Sequence, residues 1–211
     1  KNTYIDKDPI LNFDIVNEAK GILRIKISAR GITAHSAYPW RGENAVWKMN
    51  EFLTSLKKTY PIPNQEIWAT TVNLSRIETS NQTLNKIPDD CSVRLDIRYV
   101  PEDSNIIVKN IKKRLLPKGF ILEVVTKEPA LYTDGGNEYI KILEKAGQQL
   151  IKKKIILRGA QGSSDARHFN CPGIEFGPIG GGIGSDNEWV DIPSLGKYCQ
   201  ILKKFLLSIK D

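Results

Sequence analysis

Between residues 20 and 128, hydrophobic and polar positions recur with two different periods. A period of two, typical of half-buried strands, is clearest from Cys91 to Tyr99, where apolar residues alternate with charged or hydroxyl residues. Together with segments rich in Thr, Val, Ile and Leu, it predicts strands over 23–29, 68–77, 91–99 and 120–126. A helical spacing of apolar residues predicts helices over 43–59 and from Pro101 to about residue 115, each ended by prolines or glycine.

The resulting element order is β-α-β-β-α-β. This order is typical of the ferredoxin-like fold, in which two helices cover one face of a four-stranded antiparallel sheet. Residues 20–128 are therefore predicted to form one compact domain. Because the ferredoxin-like fold serves many functions, the topology by itself names none of them.

Downstream, helices and strands alternate in an α/β rhythm. The predicted elements are a helix over 138–151, a strand over 154–157, a short helix over 164–169, a strand over 174–177 and a helix over 193–209. These are too few for a doubly wound sheet with both faces covered. The fold class is thus α/β in the broad sense (α+β), with 129–211 as part of a larger α/β domain and 1–19 as the tail of something upstream.

Composition narrows the protein class. The chain has 211 residues, of which 40% are hydrophobic and 26% charged, and no apolar run approaches the roughly 18 residues of a membrane span. The net charge of +7 is dispersed, and the lysine-rich groups at 112–114 and 152–154 are interpreted as solvated helix ends rather than a nucleic-acid surface. Three cysteines without a CxxC pair, and no signal sequence after Lys1, lead us to expect a cytoplasmic protein.

Only two histidines are present, His35 and His168, which excludes a metal site built mainly from His and Cys. His35 lies in a loop between the first predicted strand and the following helix. A histidine there can bind an anion or donate a proton near neutral pH. It can equally be an ordinary surface or capping histidine, and spacing alone favours that interpretation.

A second polar cluster surrounds the short helix predicted at 164–169. Ser163 or Ser164 can cap this helix and Asp165 falls in its first turn, which is a sufficient structural role. Helix amino-terminal amides also favour a carboxylate or phosphate, to which Arg167 can add a bidentate contact. Both interpretations stay open, whereas His168 is expected to be a packed histidine.

A third cluster is the glycine-rich segment 177–189. Its glycines permit close approach of a ligand or a positive φ, but no dinucleotide, P-loop or serine-hydrolase motif is present. Asp186 and Glu188 can bind a metal weakly, although solvent exposure or local hydrogen bonding is the favoured interpretation.

Taken together, the clusters resemble the M20 family of zinc-dependent amidohydrolases and peptidases. Five motifs occur in the family's order and span nearly the whole chain. They are 31–39 with 42–45, 85–89 followed by 96–99, 163–167, 177–178 and 187–190.

The resemblance implies a catalytic α/β domain interrupted by a ferredoxin-like lid and dimerisation domain. Residues 20–128 would be the lid and 129–211 the last part of the catalytic domain, whose first half would precede Lys1. The implied reaction is hydrolysis of an amide bond in an N-acyl amino acid or small peptide with a free carboxylate. The implied assembly is a homodimer formed through the lid, with no nucleic-acid or membrane partner.

The resemblance also assigns roles to single residues. His35 would reach into the active site of the partner subunit and polarise the scissile carbonyl. Asn85 and Arg98 would bind the substrate carboxylate or help to stabilise the oxyanion. The residues expected to line the substrate pocket are Ser163, Ser164 and Arg167.

One departure from the family pattern concerns the metal. Intact family enzymes use two zinc ions, and one zinc-ligand histidine stands where this chain has Gly184. We therefore expect no tightly bound metal and no activity from this chain alone. The alternative is a non-catalytic dimerisation or ligand-binding module derived from the family. An RNA-binding sheet is disfavoured, because Tyr99 is the only aromatic residue on the strand over 91–99.

Overall fold

The computed structural model describes residues 12–209, without the side chains of Arg114 and Leu115. The chain divides into two compact units. One, here called the lid unit, is Lys20–Ala130; the other, the α/β unit, takes in the described residues up to Ala19 and those from Leu131 onwards. The predicted lid ended at residue 128, two residues earlier. Of the predicted tail over 1–19, residues 1–11 lie outside the described residues.

Within the described residues, the strands and α-helices follow one another along the chain. They are β1 (Ile15–Ala19), β2 (Gly21–Arg30), α1 (Ala45–Thr59), β3 (Thr71–Glu78), β4 (Asp90–Tyr99), α2 (Ile107–Asn110), β5 (Ile121–Glu128), β6 (Leu131–Tyr132), α3 (Glu138–Gln148), β7 (Leu157–Ala160), β8 (Glu175–Phe176), β9 (Gly180–Gly181), β10 (Trp189–Val190) and α4 (Ile192–Ser208). This mixture confirms the predicted α/β class.

The sheet of the lid unit has the strand order β3-β4-β2-β5, and every neighbouring pair is antiparallel. This is the order of the predicted ferredoxin-like arrangement. The central pair, β2 and β4, runs in register from Gly21 opposite Tyr99 to Arg30 opposite Asp90. That register defines two ends of the sheet, which we call the Gly21 end and the Arg30 end.

The core of the lid unit follows from the alternation seen in the sequence. Alternate residues of β2 and β4 are buried under α1 and the segment around α2, whereas the intervening residues carry charges on the opposite face. The buried side chains of α1 are Ala45, Met49, Phe52 and Leu56. The predicted strands over 23–29 and 91–99 are confirmed.

The segment after β4 differs from the single helix predicted there. It forms a 3₁₀ turn at Pro101–Asp103, then α2, then a π-helical turn at Ile111–Leu115. Polar residues that favour turns follow the 3₁₀ turn, and the β-branched residues around Ile107 lose side-chain freedom in a helix. Burial of Ile107 and Ile111 nevertheless holds the segment against the core.

In the α/β unit, β1 is the central strand. It pairs in parallel with β7 and antiparallel with β6 and β8, and α3 packs against α4. The sequence did not predict β1. The strand predicted over 154–157 is displaced, because Ile155 enters the hydrophobic core and the ladder with β1 begins only at Leu157. None of the helices described here is long and apolar enough to cross a membrane.

Candidate functional site

His35 lies in a loop at the Arg30 end of the lid unit, where backbone hydrogen bonds fasten it to the segment before β4. The Ser36 amide donates to the Asn85 carbonyl at 2.9 Å, and the Ile87 amide donates to the Ala34 carbonyl at 2.8 Å. An isolated antiparallel bridge joins His35 to Lys86. The structure therefore brings His35 and Asn85 together on two adjacent backbone segments.

Two glycines of the motif at 31–39 and 42–45 allow the loop to be held in this way. Ile32 and Glu43 exchange backbone hydrogen bonds of 2.8–2.9 Å across the base of the loop. A Cβ on Gly31 would lie 2.0 Å from the Glu43 carbonyl oxygen, and one on Gly42 would lie 2.7 Å from the Ile32 carbonyl oxygen. Both approaches are too close for any side chain, which explains why the motif needs glycine at these two positions.

The imidazole of His35 is exposed and has a defined tautomer when neutral. Its Nδ1 accepts a hydrogen bond from the Ala37 amide at 3.1 Å, which places the proton of the neutral ring on Nε2. The ring centroid lies 5.9 Å from that of Tyr38. Among the described residues no acceptor bonds to Nε2. The side chain therefore presents an N–H donor of the kind that stabilises a developing oxyanion.

Asn85 and Arg98, the other residues predicted for the lid part of the site, occupy different ends of the sheet. Asn85 is exposed beside the His35 loop, whereas Arg98 pairs with Ile22 near the Gly21 end. The eight-residue separation of Arg98 from Asp90 along β4 corresponds to about 26 Å. Within one protomer, then, the structure does not bring Arg98 to His35. The roles of all three residues stay predictions.

Arg98 is part of an ion-pair cluster on the charged face of the sheet. Its Nε lies 2.7 Å from Oδ1 of Asp96, and Arg24 binds the other carboxylate oxygen at 3.0 Å. Partial burial raises the pKa of Asp96, but the hydrogen bonds and positive charges of Arg98 and Arg24 outweigh it and lower the pKa overall. Its ion pair with Asp96 gives Arg98 a sufficient structural role in the sheet.

In the α/β unit, the predicted cap at Ser164 is formed. Its Oγ accepts from the Ala166 amide at 3.2 Å at the start of a 3₁₀ helix, Asp165–His168, and the residue is buried. Ser163 and Arg167 are half-buried. Arg167 donates from Nε to Nε2 of His168 at 3.1 Å, while its Nη1 is buried and lacks a partner among the described residues. A group that accepts a hydrogen bond from Arg167 Nη1 would satisfy this buried nitrogen.

The glycine-rich segment forms the two-stranded hairpin β9–β10. Gly182 and Gly184 have positive φ values of 67° and 75°, and the Gly184 amide donates to Oε2 of Glu188 at 3.2 Å. Glu188 is thus engaged in a local hydrogen bond. No group of three or more His, Cys, Asp or Glu within residues 12–209 is arranged to hold a metal ion. The described residues therefore do not fit a zinc centre by themselves.

The sequence did not single out three exposed side chains beside His35. Tyr38 and Trp40 meet edge to face with their centroids 5.8 Å apart, and the Arg41 guanidinium lies 4.9 Å from the centre of the Tyr38 ring. The available signal was the run Tyr-Pro-Trp-Arg, which begins three residues after His35. Large aromatics in a loop that has no hydrophobic core to enter indicate a contact surface.

A model of a known protein family matches most of the lid unit. The family model of the M20 peptidase dimerisation domain matches residues 17–119. Enzymes of the M20 family depend on metal ions, generally zinc.

Curated relatives extend the match to most of the chain. Succinyl-diaminopimelate desuccinylase of Ehrlichia ruminantium (strain Welgevonden) is 27% identical over 194 residues, which cover 89% of this chain and 50% of the relative. The enzyme of the same name from Hydrogenovibrio crunogenus is 26% identical over 206 residues, covering 94% and 54%. The chain thus spans about half the length of the curated relatives it matches.

Solved structures show the same fold. Aminopeptidase PepT from Bacillus cereus superposes with a TM-score of 0.76 at 20% identity, covering 95% of this chain and 55% of that one. A tripeptidase from Staphylococcus aureus gives a TM-score of 0.69 at 19% identity, covering 92% and 53%. The match to the dimerisation domain, the desuccinylase relatives and the shared fold together support the M20 family of amidohydrolases and peptidases as the family of this chain.

Proposed function

We propose that the chain is the lid and the carboxyl-terminal catalytic part of an M20 hydrolase. The complete enzyme would cleave an amide bond in an N-acyl amino acid or small peptide that carries a free carboxylate. The 211 residues alone would be inactive, because Gly184 supplies no ligand atom where the family has a zinc-binding histidine. Three free cysteines are consistent with a reducing, cytoplasmic setting.

The observation that carries this proposal is that the structure holds the His35 loop in place and leaves its imidazole exposed. Its loop is fastened beside Asn85, and its neutral ring offers Nε2–H at an exposed end of the lid unit. Such a donor, aimed at a carbonyl oxygen, stabilises the charge that develops as the amide is attacked. In the proposed enzyme His35 acts on substrate held by the partner subunit.

The distribution of charge supports an anionic substrate. Residues 20–130 contain 18 Lys and Arg against 11 Asp and Glu, so the net charge of +7 lies in the lid unit. Basic surfaces raise the local concentration of anions and speed their association. A substrate with a free carboxylate would be attracted to the unit that presents His35.

The first test uses the protein encoded by the complete reading frame that contains these residues. Hydrolysis of an N-succinyl amino acid, an N-acetyl amino acid and a tripeptide is measured with zinc present. His35→Ala should lower kcat by on the order of 10²–10³ with a smaller change in KM, as expected for a lost oxyanion donor. Asn64→Ala, an exposed loop substitution in the same unit, is the matched control. An active His35→Ala enzyme would refute the assigned role.

A second candidate function is a non-catalytic module derived from the family. Gly184 favours it, since a chain retained for catalysis would be expected to keep the zinc-ligand histidine. Absence of hydrolysis by the complete reading frame on all three substrates, with a folded and dimeric protein, would support the module over the enzyme.

We further propose that the homodimer forms along the exposed edge of β3. Leu74 and Ile77 point to the helix side of the sheet, yet they are 40% and 55% exposed. The other edge strand, β5, lies outside the 17–119 match to the dimerisation domain, whereas β3 lies inside it. Pairing of two β3 edges would satisfy their unpaired backbone groups and cover both apolar side chains.

Sedimentation tests this interface. Leu74→Lys with Ile77→Lys should raise the dimer dissociation constant at least about tenfold, because each lysine charge would be buried at the interface. Val124→Lys with Val125→Lys on β5 is the matched control and should leave the constant nearly unchanged. The reverse ranking would assign the interface to β5.

A further inference from the structure

His35, Tyr38 and Arg41 follow one another at intervals of three residues in the His35 loop. The Tyr38 amide donates to the His35 carbonyl at 2.9 Å, and the Arg41 amide donates to the Tyr38 carbonyl at 3.0 Å. Bonds between residues three apart are those of a 3₁₀ spiral, in which such residues lie on the same side. The second of the two turns is the 3₁₀ helix Pro39–Arg41, which begins with proline. The backbone therefore places the three side chains in one row.

Ring contacts confirm this row. The centroids of the His35 and Tyr38 rings are 5.9 Å apart, and the guanidinium carbon of Arg41 lies over the Tyr38 ring at 4.9 Å from its centroid. Because both distances are measured from the Tyr38 centroid, the guanidinium carbon lies within their sum, about 11 Å, of the imidazole centre. Arg41 is thus held near any small molecule that His35 binds.

The charge of Arg41 is not neutralised by a carboxylate among the described residues. Two other cations at this end of the lid unit are paired: Lys48 lies 2.8 Å from Glu43, and Lys86 lies 3.4 Å from Asp89. The side chain of Arg41 is exposed, and a guanidinium that lies over an aromatic ring keeps the N–H donors at its edge available. These donors are open to an anion.

The distance between Arg41 and His35 matches the length of a small substrate. A carboxylate carbon that is three bonds from the scissile carbonyl carbon lies about 4 Å from it in an extended chain. Hydrogen bonds of about 3 Å, one from His35 to the carbonyl oxygen and one from Arg41 to the carboxylate, bring the span to about 10 Å. This span falls within the limit set by the two contacts of the Tyr38 ring.

Arg98, the arginine predicted to bind the substrate carboxylate, does not occupy this place in the same protomer. It lies near the Gly21 end of the sheet and pairs with Asp96 at 2.7 Å. Arg41, by contrast, is carried by the same loop as His35. Its guanidinium can donate two parallel hydrogen bonds to the two oxygens of one carboxylate.

From these observations we propose that Arg41 binds a carboxylate of the substrate whose scissile carbonyl His35 polarises. The inference rests on the proposed function and adds a specificity-determining residue to the lid unit. Two carboxylates are three bonds from the scissile carbonyl carbon. One is the α-carboxylate of the amino acid that is released, and the other is the terminal carboxylate of a succinyl group. One loop would thus read both the amide and its neighbouring charge.

Matched pairs of substrates isolate that charge. N-acetylalanine and N-acetylalaninamide differ in the α-carboxylate, and N-succinylalaninamide and N-succinamoylalaninamide differ in the acyl carboxylate. The protein encoded by the complete reading frame is assayed with zinc present, and kcat/KM for each acid is divided by that for its neutral partner. Arg41→Gln should lower this ratio at least about tenfold for one pair, which identifies the carboxylate. Arg41→Lys should fall between, because lysine keeps the charge but not the two parallel bonds.

Lys58→Gln is the matched control, since it removes one positive charge from the exposed last turn of α1. It should leave both ratios unchanged. Equal losses in Lys58→Gln and Arg41→Gln would show that Arg41 acts through the net charge of the unit and would overturn the contact. Unchanged ratios in an active Arg41→Gln enzyme would also refute the contact, while the proposed reaction would stand.

Binding to the 211-residue chain gives a readout that does not need hydrolysis. The Nε–H signal of Arg41, identified by its loss in Arg41→Lys, is followed by NMR as each of the four compounds is added. We expect a saturable shift with at least one acid and none with its neutral partner. If the complete reading frame hydrolyses none of the compounds, the proposed function fails and this titration still decides the role of Arg41. The absence of a shift with both acids would overturn the inference.

Discussion

At the scale of single residues, a few glycines decide where each loop closes. Gly31 and Gly42 allow two backbones to meet at the base of the His35 loop. Gly184 is different, because a Cβ there would meet open space and its φ of 75° is the only constraint. A histidine at this position would therefore have to adopt a left-handed backbone or change the hairpin.

Substitution of Gly184 tests this backbone argument. Gly184→Ala should destabilise the α/β unit by about 1 kcal/mol in urea unfolding, because alanine is strained at positive φ, and Gly184→Asn should cost less. Gly196→Ala is the control: it lies in α4, its Cβ would also meet open space, and alanine is the better helix former there. Equal effects of the two alanines would contradict the account.

Asp90 ties the segment that carries Asn85 to the start of β4. The Ser80 hydroxyl hydrogen bond lowers the pKa of Asp90, which outweighs the opposite effect of partial burial, and the Ser80 amide and the charges of Arg30 and Lys86 lower it further. A carboxylate with a lowered folded-state pKa stabilises the fold above its ordinary pKa of about 3.9. That stabilisation is lost as the pH falls through the lowered value.

Ser80→Ala removes the largest cause of the shift. The pKa of Asp90, followed by its carboxyl carbon signal in an NMR titration, should rise toward the ordinary value. The free energy of unfolding should then depend less on pH in the acid range than in the unsubstituted protein. A pKa that does not move would show that Ser80 is not the main cause.

At the scale of elements, long alternating strands could be predicted and short ones could not. β2 and β4 each bury every second residue over ten positions, so their pattern is complete in the sequence. The two-residue strands β6, β8, β9 and β10 are defined by their partners and have no pattern of their own. β1 was missed because the buried polar residue Asn17 interrupts its apolar pattern and another, Asp14, directly precedes it.

The amino terminus of α1 depends on one cap. Asn44 Oδ1 accepts from the amides of Val46 and Trp47 at 2.9 and 3.2 Å. Asn44→Ala should lower the free energy of unfolding by about 1 kcal/mol. Asn44→Asp should retain most of the stabilisation by the cap, because aspartate is a similar N-cap residue. Chemical denaturation of both variants checks the ranking; a fully stable Asn44→Ala protein would show that the cap is dispensable.

At the scale of the whole molecule, the two units have separate hydrophobic cores. The lid core lies between its sheet and its helices, and the core of the α/β unit lies around Phe13 and Ile201. We therefore expect Lys20–Ala130, produced alone, to fold and to dimerise through β3. Dispersed amide NMR signals together with a dimer mass in sedimentation would confirm it; an unfolded fragment would show that the lid needs the α/β unit.

The site could be predicted from sequence only in part. The order of the motifs pointed to His35, Asn85 and the 163–167 segment. The structure joins the segments of His35 and Asn85 through backbone hydrogen bonds. The distance of Arg98 from this loop follows from the strand register, which depends on pairing partners far away in sequence. The exposure of Tyr38 and Trp40 beside His35 is visible only once the side chains that the core leaves exposed are known.

The most direct test of the central claim is the zinc content of the purified 211-residue chain after equilibration with zinc, measured together with hydrolysis of an N-acyl amino acid. The account predicts less than one tightly held ion per chain and no hydrolysis above the buffer rate, because Gly184 and the two histidines cannot complete a zinc centre. Two tightly held ions per chain with hydrolysis that His35→Ala abolishes would contradict it.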